Sequence, residues 1–205
     1  MGKKHADEMR FWTSKEYLHF IKELEDKPRS HLMFQILYWC GIREGELFAL
    51  TIGDIDFENK TLSVNKSYQR IACQDIITEP KTPKSKRIVA LPGFLLAELE
   101  EYVGMLYNAK SDTRLFVISK HGITSEMIRG CEASGVKRIR IHDLRHSHAS
   151  LLIELGYSPL LIAERLGHEN IETTLNTYSH LFPHKQLELA QKLDSLGQAA
   201  SKQHR

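Results

Sequence analysis

The chain has 205 residues, 41% of them hydrophobic and 26% charged, with a formal net charge of +2. That is an ordinary globular composition, long enough to bury one core, and it excludes a domain-wide basic footprint. No apolar run is long enough to span a bilayer, and Met1 to Glu8 lack the apolar core of a secretory signal. Cys40, Cys73 and Cys131 are odd in number and not closely spaced, which argues for reduced thiols in a cytosolic compartment and against a disulfide framework.

In chain order, residues 1–10 read as a disordered start or tail. Thr13-Ser14-Lys15-Glu16 is a capping-box pattern, and Tyr17, Leu18, Ile21 and Leu24 follow it at helical spacing. A second helix is expected from Arg29 to Cys40, stopped by Gly41, with Leu32, Ile36, Leu37 and Trp39 as core. A short third helix carries Arg43 and Glu46 one turn apart. The period then changes to that of strands: Ile55 to Phe57, Thr61 to Val64 and Arg87 to Leu91, with a hairpin turn at Glu58-Asn59-Lys60. Tyr68 to Thr78 either continues the second strand or forms a loop. Pro80 and Pro83 bracket Lys81 and keep it in or beside a turn.

After Pro92 the pattern is helical again: Phe94 to Leu106, Thr124 to Ala133, His142 to Leu155, Pro159 to Leu166, Ile171 to Leu181 and His184 to Leu196. Ser158-Pro159 is a helix start, and Gly156 and Gly167 are stops. Leu115 to Ile118 could add a short strand. The last helix carries Leu187, Leu189, Leu193 and Leu196, a stripe that could cover its own core or a neighbouring copy. The expected class is mostly α with a small antiparallel β-sheet, as one domain over residues 11–197 followed by a tail at 198–205.

Charge is distributed more tellingly than its total. Lys81, Lys84, Lys86 and Arg87 form one strip without an anion; Lys137, Arg138 and Arg140 lead into a second that ends at His142. Acids gather elsewhere, at Glu23 to Asp26 and Glu98 to Glu101. Basic strips on a nearly neutral body suit a protein that grips a polyanion on one face; solvated loop charge would give the same pattern.

Five polar residues stand out from this background: Arg43 in GIREGEL, His142 and Arg145 in HDLRHS, His168 after Leu166-Gly167, and Tyr178 in TYSH. Two arginines, two imidazoles and a phenol make a poor core and a good phosphodiester site. Arginines fork onto its oxygens, imidazoles move protons, and a tyrosine oxygen can attack phosphorus. On the His142 helix, Leu144, His148, Leu151, Leu152 and Leu155 should face the core. His142 and Arg145 would then lie on an adjoining face near the helix N-terminus, a place for an anion. Each residue also has an ordinary structural reading. Arg43 can pair with Glu44 or Glu46, His168 can be a helix cap, and Tyr178 can edge a core.

Taken together and in order, Arg43, Lys81 in its Pro-Lys-Thr turn, His142-x-x-Arg145, Leu-Gly-His168 and Tyr178 resemble the tyrosine recombinases, most closely phage and mobile-element integrases. The resemblance runs from Trp12-Thr13 to beyond Tyr178. It implies that family's catalytic core fold and site-specific cleavage and rejoining of DNA through a 3′-phosphotyrosine at Tyr178. Arg43 and Arg145 would clamp the scissile phosphate, His168 would hydrogen-bond it, and Lys81 would protonate the leaving 5′-oxygen. His142 would be the general acid or base that accepts the tyrosine proton, and Glu46 would support Arg43. A phenol with an ordinary pKa near ~10 needs a base or cationic surroundings for this.

The resemblance further implies no cofactor and no metal, because the arginines take the electrostatic role a metal would have. Double-stranded DNA would be the partner, with no membrane involved. Lys84, Lys86, Arg87, Lys137, Arg138, Arg140 and His146 are candidate DNA contacts. Integrases of this kind usually carry an N-terminal core-binding domain that this sequence lacks. The whole protein would form a homo-tetramer on DNA, whereas this stretch alone would be a monomer with weak site specificity. Bacterial or phage-encoded proteins of this kind are cytoplasmic. Alternatives are a nicking and resealing enzyme like the type IB topoisomerases, and a DNA-binding fragment with an idle site. A zinc site on His142, His146 and His148 is a third, less suited because Arg145 sits among the ligands.

Overall fold

The structure, a computed structural model, describes residues 10–80, 82–181, 191 and 193. It is mostly helical with a small antiparallel sheet. The first helix, α1 (Ser14–Lys22), starts as the capping box requires: Thr13 Oγ1 accepts from the Glu16 amide, and the Glu16 carboxylate accepts from the Thr13 amide. Its core face is Tyr17, Phe20 and Ile21, while Leu18 is exposed, against expectation. Helix α2 (Pro28–Cys40) is apolar nearly all round and packs against α1, against α3 (Glu44–Ala49), and against α4 (Gly93–Met105) and α6 (Asp143–Glu154). Tyr17 stacks on Tyr38 at 3.5 Å between ring centroids. Trp39, expected in the core, is only half-buried, at its edge.

Gly41 ends α2 at φ 64°, a left-handed stop that a side chain would resist. A three-stranded antiparallel sheet follows, in the order β1 (Ile55–Asp56), β2 (Thr61–Val64) and β5 (Arg87–Ala90), with Leu62 opposite both Ile55 and Val89. The ambiguous stretch from Tyr68 to Thr78 is neither a continuation of β2 nor a loop. It is a separate hairpin of β3 (Ser67–Ile71) and β4 (Gln74–Thr78) that packs on α3. Its turn residues Ala72 and Cys73 both have positive φ, the geometry of a tight two-residue reversal, but carry none of the usual Asn-Gly signal.

Helix α5 (Lys120–Ser134) begins four residues before its expected start, because Ser119 Oγ accepts from the Gly122 amide and caps it. Leu115 to Ile118 is not a strand; a single bridge joins Arg114 to Thr51. Helices α6, α7 (Pro159–Leu166) and α8 (Ile171–Tyr178) complete the described body, and a short 3-10 turn carries α8 on to Leu181. On α6, Leu144 and His148 are buried and Leu151 and Leu152 pack partly buried, as expected, whereas Leu155 is exposed and Arg145 and Ile153 are buried as well. Of the helix expected at His184 to Leu196, only residues 191 and 193 lie among the described ones; both are helical. Among the described residues, no helix is long and apolar enough to cross a membrane.

Among the described residues, two apolar clusters result. The large one is built on α1 to α5 and the sheet. The small one joins Ala149 and Ile153 of α6, Ile162 and Leu166 of α7, and Tyr178 of α8.

Candidate active site

Arg43 is the residue on which α3 starts. Its amide donates to Glu46 Oε2 and its Nη1 to Glu46 Oε1, both at 2.8 Å, while the side chain stays 39% exposed. One edge of the guanidinium is thus held and another is open. Glu46 is buried and has a second partner, Arg87, which donates Nη2 to Oε2 at 2.9 Å and Nη1 to Oε1 at 3.1 Å. Burial alone would raise the Glu46 pKa; the bonds and charges of Arg87 and Arg43 outweigh it and hold the group below its ordinary value. Arg87, expected as a DNA contact, therefore does something else. Its side chain is 6% exposed and also donates to the carbonyls of Arg165 and Ser85, leaving little to offer a surface ligand.

Arg145 ties the site together. It is buried, and its Nη1 donates to the Gly41 carbonyl at 2.8 Å and its Nη2 to the Leu166 carbonyl at 2.5 Å. Those carbonyls lie two residues before Arg43 and two before His168, so one guanidinium fixes both chain turns that deliver the other anion-binding groups. No carboxylate among the described residues forms an ion pair with Arg145. Burial first, then the charges of Arg43 and Arg87, push its pKa down to about 9. A buried cation held by neutral carbonyls attracts an anion strongly. The guanidinium supplies this attraction, not the head of α6. There the amides of Asp143, Leu144 and Arg145 already donate to the carbonyls of Arg140, Ile141 and His142 in a 3-10 turn.

His168 follows the left-handed Gly167, and its amide closes a six-to-one bond to the Ala163 carbonyl. Its Nδ1 lies 2.7 Å from Oγ1 of the buried Thr174. Burial and then the Arg145 and Arg43 charges push its pKa down to about 4, so the ring is neutral near pH 7. Arg43, Glu46, Thr82, Gly167 and His168 line a common cleft of about 460 Å³.

Tyr178 lies at the end of α8 with its ring in the small apolar cluster and 1% of its surface exposed. Burial pushes its phenol up to about 12, and Arg145 opposes this only in part. The phenol is therefore held in its neutral form near pH 7. Its hydroxyl is 2.7 Å from Nδ1 of His146. The expected proton acceptor, His142, makes no such contact: it is exposed at the head of α6, its ring edge-on to that of His146 at 5.1 Å. His146 had been expected on the DNA surface. The available sequence signal for its position was spacing, one residue after Arg145 and one helical turn after His142. His148 cannot share a metal with these two, because it is buried and its Nε2 accepts from Arg165 Nε at 3.0 Å.

Lys81 lies outside the described residues; its neighbours Pro80 and Thr82 line the cleft. Lys84 and Lys86 are exposed nearby, with Lys84 Nζ donating to the Glu169 carbonyl and Lys86 pairing with Glu79. Lys137, Arg138 and Arg140 are exposed along the entry to α6. Lys137 pairs with Glu16 and Arg140 with Asp143, and Arg138 and Arg140 line a second cleft with Arg10.

Comparison with known proteins gives a consistent result. A family model described as the phage integrase family matches residues 10–185. The ICEBs1 integrase of Bacillus subtilis (strain 168) is 38% identical over 205 aligned residues, covering 92% of this chain and 55% of that protein. A Tn1549 transposon integrase, solved in complex with a circular-intermediate DNA, superposes with a TM-score of 0.78 at 20% identity. The match covers 95% of this chain and 68% of that one. The catalytic domain of bacteriophage HP1 integrase superposes with a TM-score of 0.64 at 23% identity, over 93% of this chain and 98% of that one. The chain spans about half the length of the curated relatives it matches.

Proposed function

The chain belongs to the phage integrase family, and from that premise we propose that residues 11–197 are the catalytic domain of a site-specific DNA recombinase. Tyr178 attacks the scissile phosphate in line, forms a 3′-phosphotyrosine and releases a 5′-hydroxyl. Arg43 and Arg145 bind the non-bridging oxygens, His168 adds a hydrogen bond, and Glu46 orients Arg43. His142 serves as a general acid or base at the rim, and Lys81 protonates the leaving oxygen. The partner duplex's 5′-hydroxyl then reverses the step, which conserves bond energy, and the chemistry asks for neither metal nor nucleotide.

The observation that carries this reading is the placement of Arg145. A buried guanidinium without a carboxylate ion-pair partner among the described residues braces the turns bearing Arg43 and His168, and its charge bears on Tyr178. Donors fixed before the substrate arrives cost no reorganisation when charge develops at phosphorus. Double-stranded DNA is the proposed substrate. Lys84, Lys86, Lys137 and Arg138 are its proposed backbone contacts, with Arg140 at the same edge. The whole protein is proposed to act as a homo-tetramer on DNA in the cytoplasm, and this stretch alone to be a monomer.

A nicked suicide DNA duplex, incubated in EDTA with the wild type and with Tyr178→Phe, tests the proposal. A covalent protein–DNA band is expected for the wild type and none for the variant. A band of equal strength from Tyr178→Phe would overturn the nucleophile.

A further inference from the structure

His146 has no part in the roles above, yet it holds the atom on which the proposed reaction turns. Its Nδ1 stands 2.7 Å from the Tyr178 hydroxyl, the rings 5.7 Å apart. The phenol lies against Ala149, Ile153, Ile162 and Leu166, and His146 is its hydrogen-bonding partner among the described residues. Neutral imidazole has one nitrogen that accepts and one that donates. With the ring proton on Nε2, Nδ1 is the acceptor and the phenol O–H the donor. A general base must be within hydrogen-bond reach of the proton it removes, and His146 meets that condition where His142 does not.

We propose that His146 is the general base for Tyr178, an inference that rests on Tyr178 being the nucleophile. As the Oη–phosphorus bond forms, the phenol proton passes to Nδ1 of His146. The phosphorus–O5′ bond breaks, and the leaving oxygen takes its proton from Lys81. His146 gains one proton, Lys81 loses one, and religation reverses both transfers. The exposed ring of His142 lies edge-on to that of His146, one helical turn earlier.

The charge setting of His146 is cationic. Burial first, then His142, Arg145 and Arg140, push the His146 pKa down to about 4, with Asp143 opposing them. Titratable and charged groups face it from each packed element: His142, Asp143 and Arg145 on α6, Arg140 before that helix, His168 after α7, and Tyr178 on α8. A phosphate seated on Arg43 and Arg145 offsets the cationic part of this set. The imidazole then binds a proton more readily when the tyrosine must release one.

Single-turnover formation of the covalent complex on the same nicked duplex, followed against pH, tests the assignment. His146→Asn keeps an acceptor near Nδ1 but takes up no proton. It is expected to bind the duplex as the wild type does and to cleave on the order of 10²-fold more slowly. It should also lose the rise in rate with pH that a neutral base gives. A wild-type rate and profile in His146→Asn would reduce the contact to simple satisfaction of a buried hydroxyl and overturn the proposal. Nitrogen-15 spectra of the histidines give a readout independent of activity and of how well the variant folds. Nδ1 of His146 should be unprotonated and should shift in Tyr178→Phe; a protonated Nδ1 or an unmoved signal also overturns it. If Tyr178→Phe still forms the covalent band, the parent reading fails. If that variant is silent while His146→Asn is unimpaired, only the base assignment fails.

Discussion

Arg87 and Glu46 form a two-pronged buried ion pair, Nη2 to Oε2 at 2.9 Å and Nη1 to Oε1 at 3.1 Å, forty-one residues apart in sequence. It pins strand β5 to helix α3 and presents to Arg43 a carboxylate already fixed in place. Removing one partner of such a pair leaves the other charge buried and uncompensated, which costs about 3–5 kcal/mol. Arg87→Ala should therefore lower unfolding free energy in urea by about that amount and weaken cleavage through the loosened Arg43. A variant as stable as the wild type but with a shallower salt dependence of DNA affinity would restore Arg87 to the DNA surface.

Gly41 supplies a left-handed turn and a carbonyl for Arg145 in the same residue. A methyl group there would run into the His148 ring and approach Leu166 Cδ2 at 3.0 Å, both packed inside. Left-handed strain and overpacking together should cost roughly 2–4 kcal/mol in Gly41→Ala. Because the acceptor of Arg145 moves, cleavage per folded molecule should fall as well. Denaturant melts together with the covalent-complex assay measure both, and unchanged stability would contradict the close packing.

Acid should destabilise the protein well before its carboxylates titrate. Burial, then the Arg165 and Arg145 charges, push the His148 pKa down to about 3, against an ordinary value of 6.5. Below pH 6.5 the unfolded chain takes up a proton that the folded one refuses, so stability is lost as pH falls from there toward 3. His146 and His168, both pushed to about 4, act in the same direction. The loss from His148 alone should reach on the order of 3 kcal/mol by about pH 4. Unfolding free energies at about pH 7 and about pH 4.5 should differ less in His148→Gln than in the wild type; an equal difference would locate the acid sensitivity elsewhere.

Much of this molecule is written locally. Thr13 and Glu16 announce their capping box, Gly41 and Gly167 their left-handed stops, and Ser158-Pro159 its helix start, because each signal acts within one turn of chain. The order of Arg43, His142, Arg145, His168 and Tyr178 likewise carries the family resemblance in one dimension. The hairpin from Ser67 to Thr78 was not legible, since its reversal is made by Ala72 and Cys73 and its support is tertiary: packing on α3 and the contacts of Arg114 with Tyr68 and Asp75. The inner face of α6 was misjudged at Leu155 because spacing marks a stripe but not which neighbours cover it.

The order of residues along the chain specifies the chemistry at hand: two arginines, a phenol and several imidazoles at capped and turned positions. Which partner each one has follows from the packing of distant elements. Periodicity cannot distinguish an arginine that reaches outward from one that folds back, and the fold turned Arg87 inward as a brace for Glu46. It likewise could not choose between two histidines one turn apart. The packing of α8 against α6 and α7 brought the Tyr178 hydroxyl to His146 and left His142 at the rim, because hydrogen-bond reach is set by through-space distance and not by order along the chain.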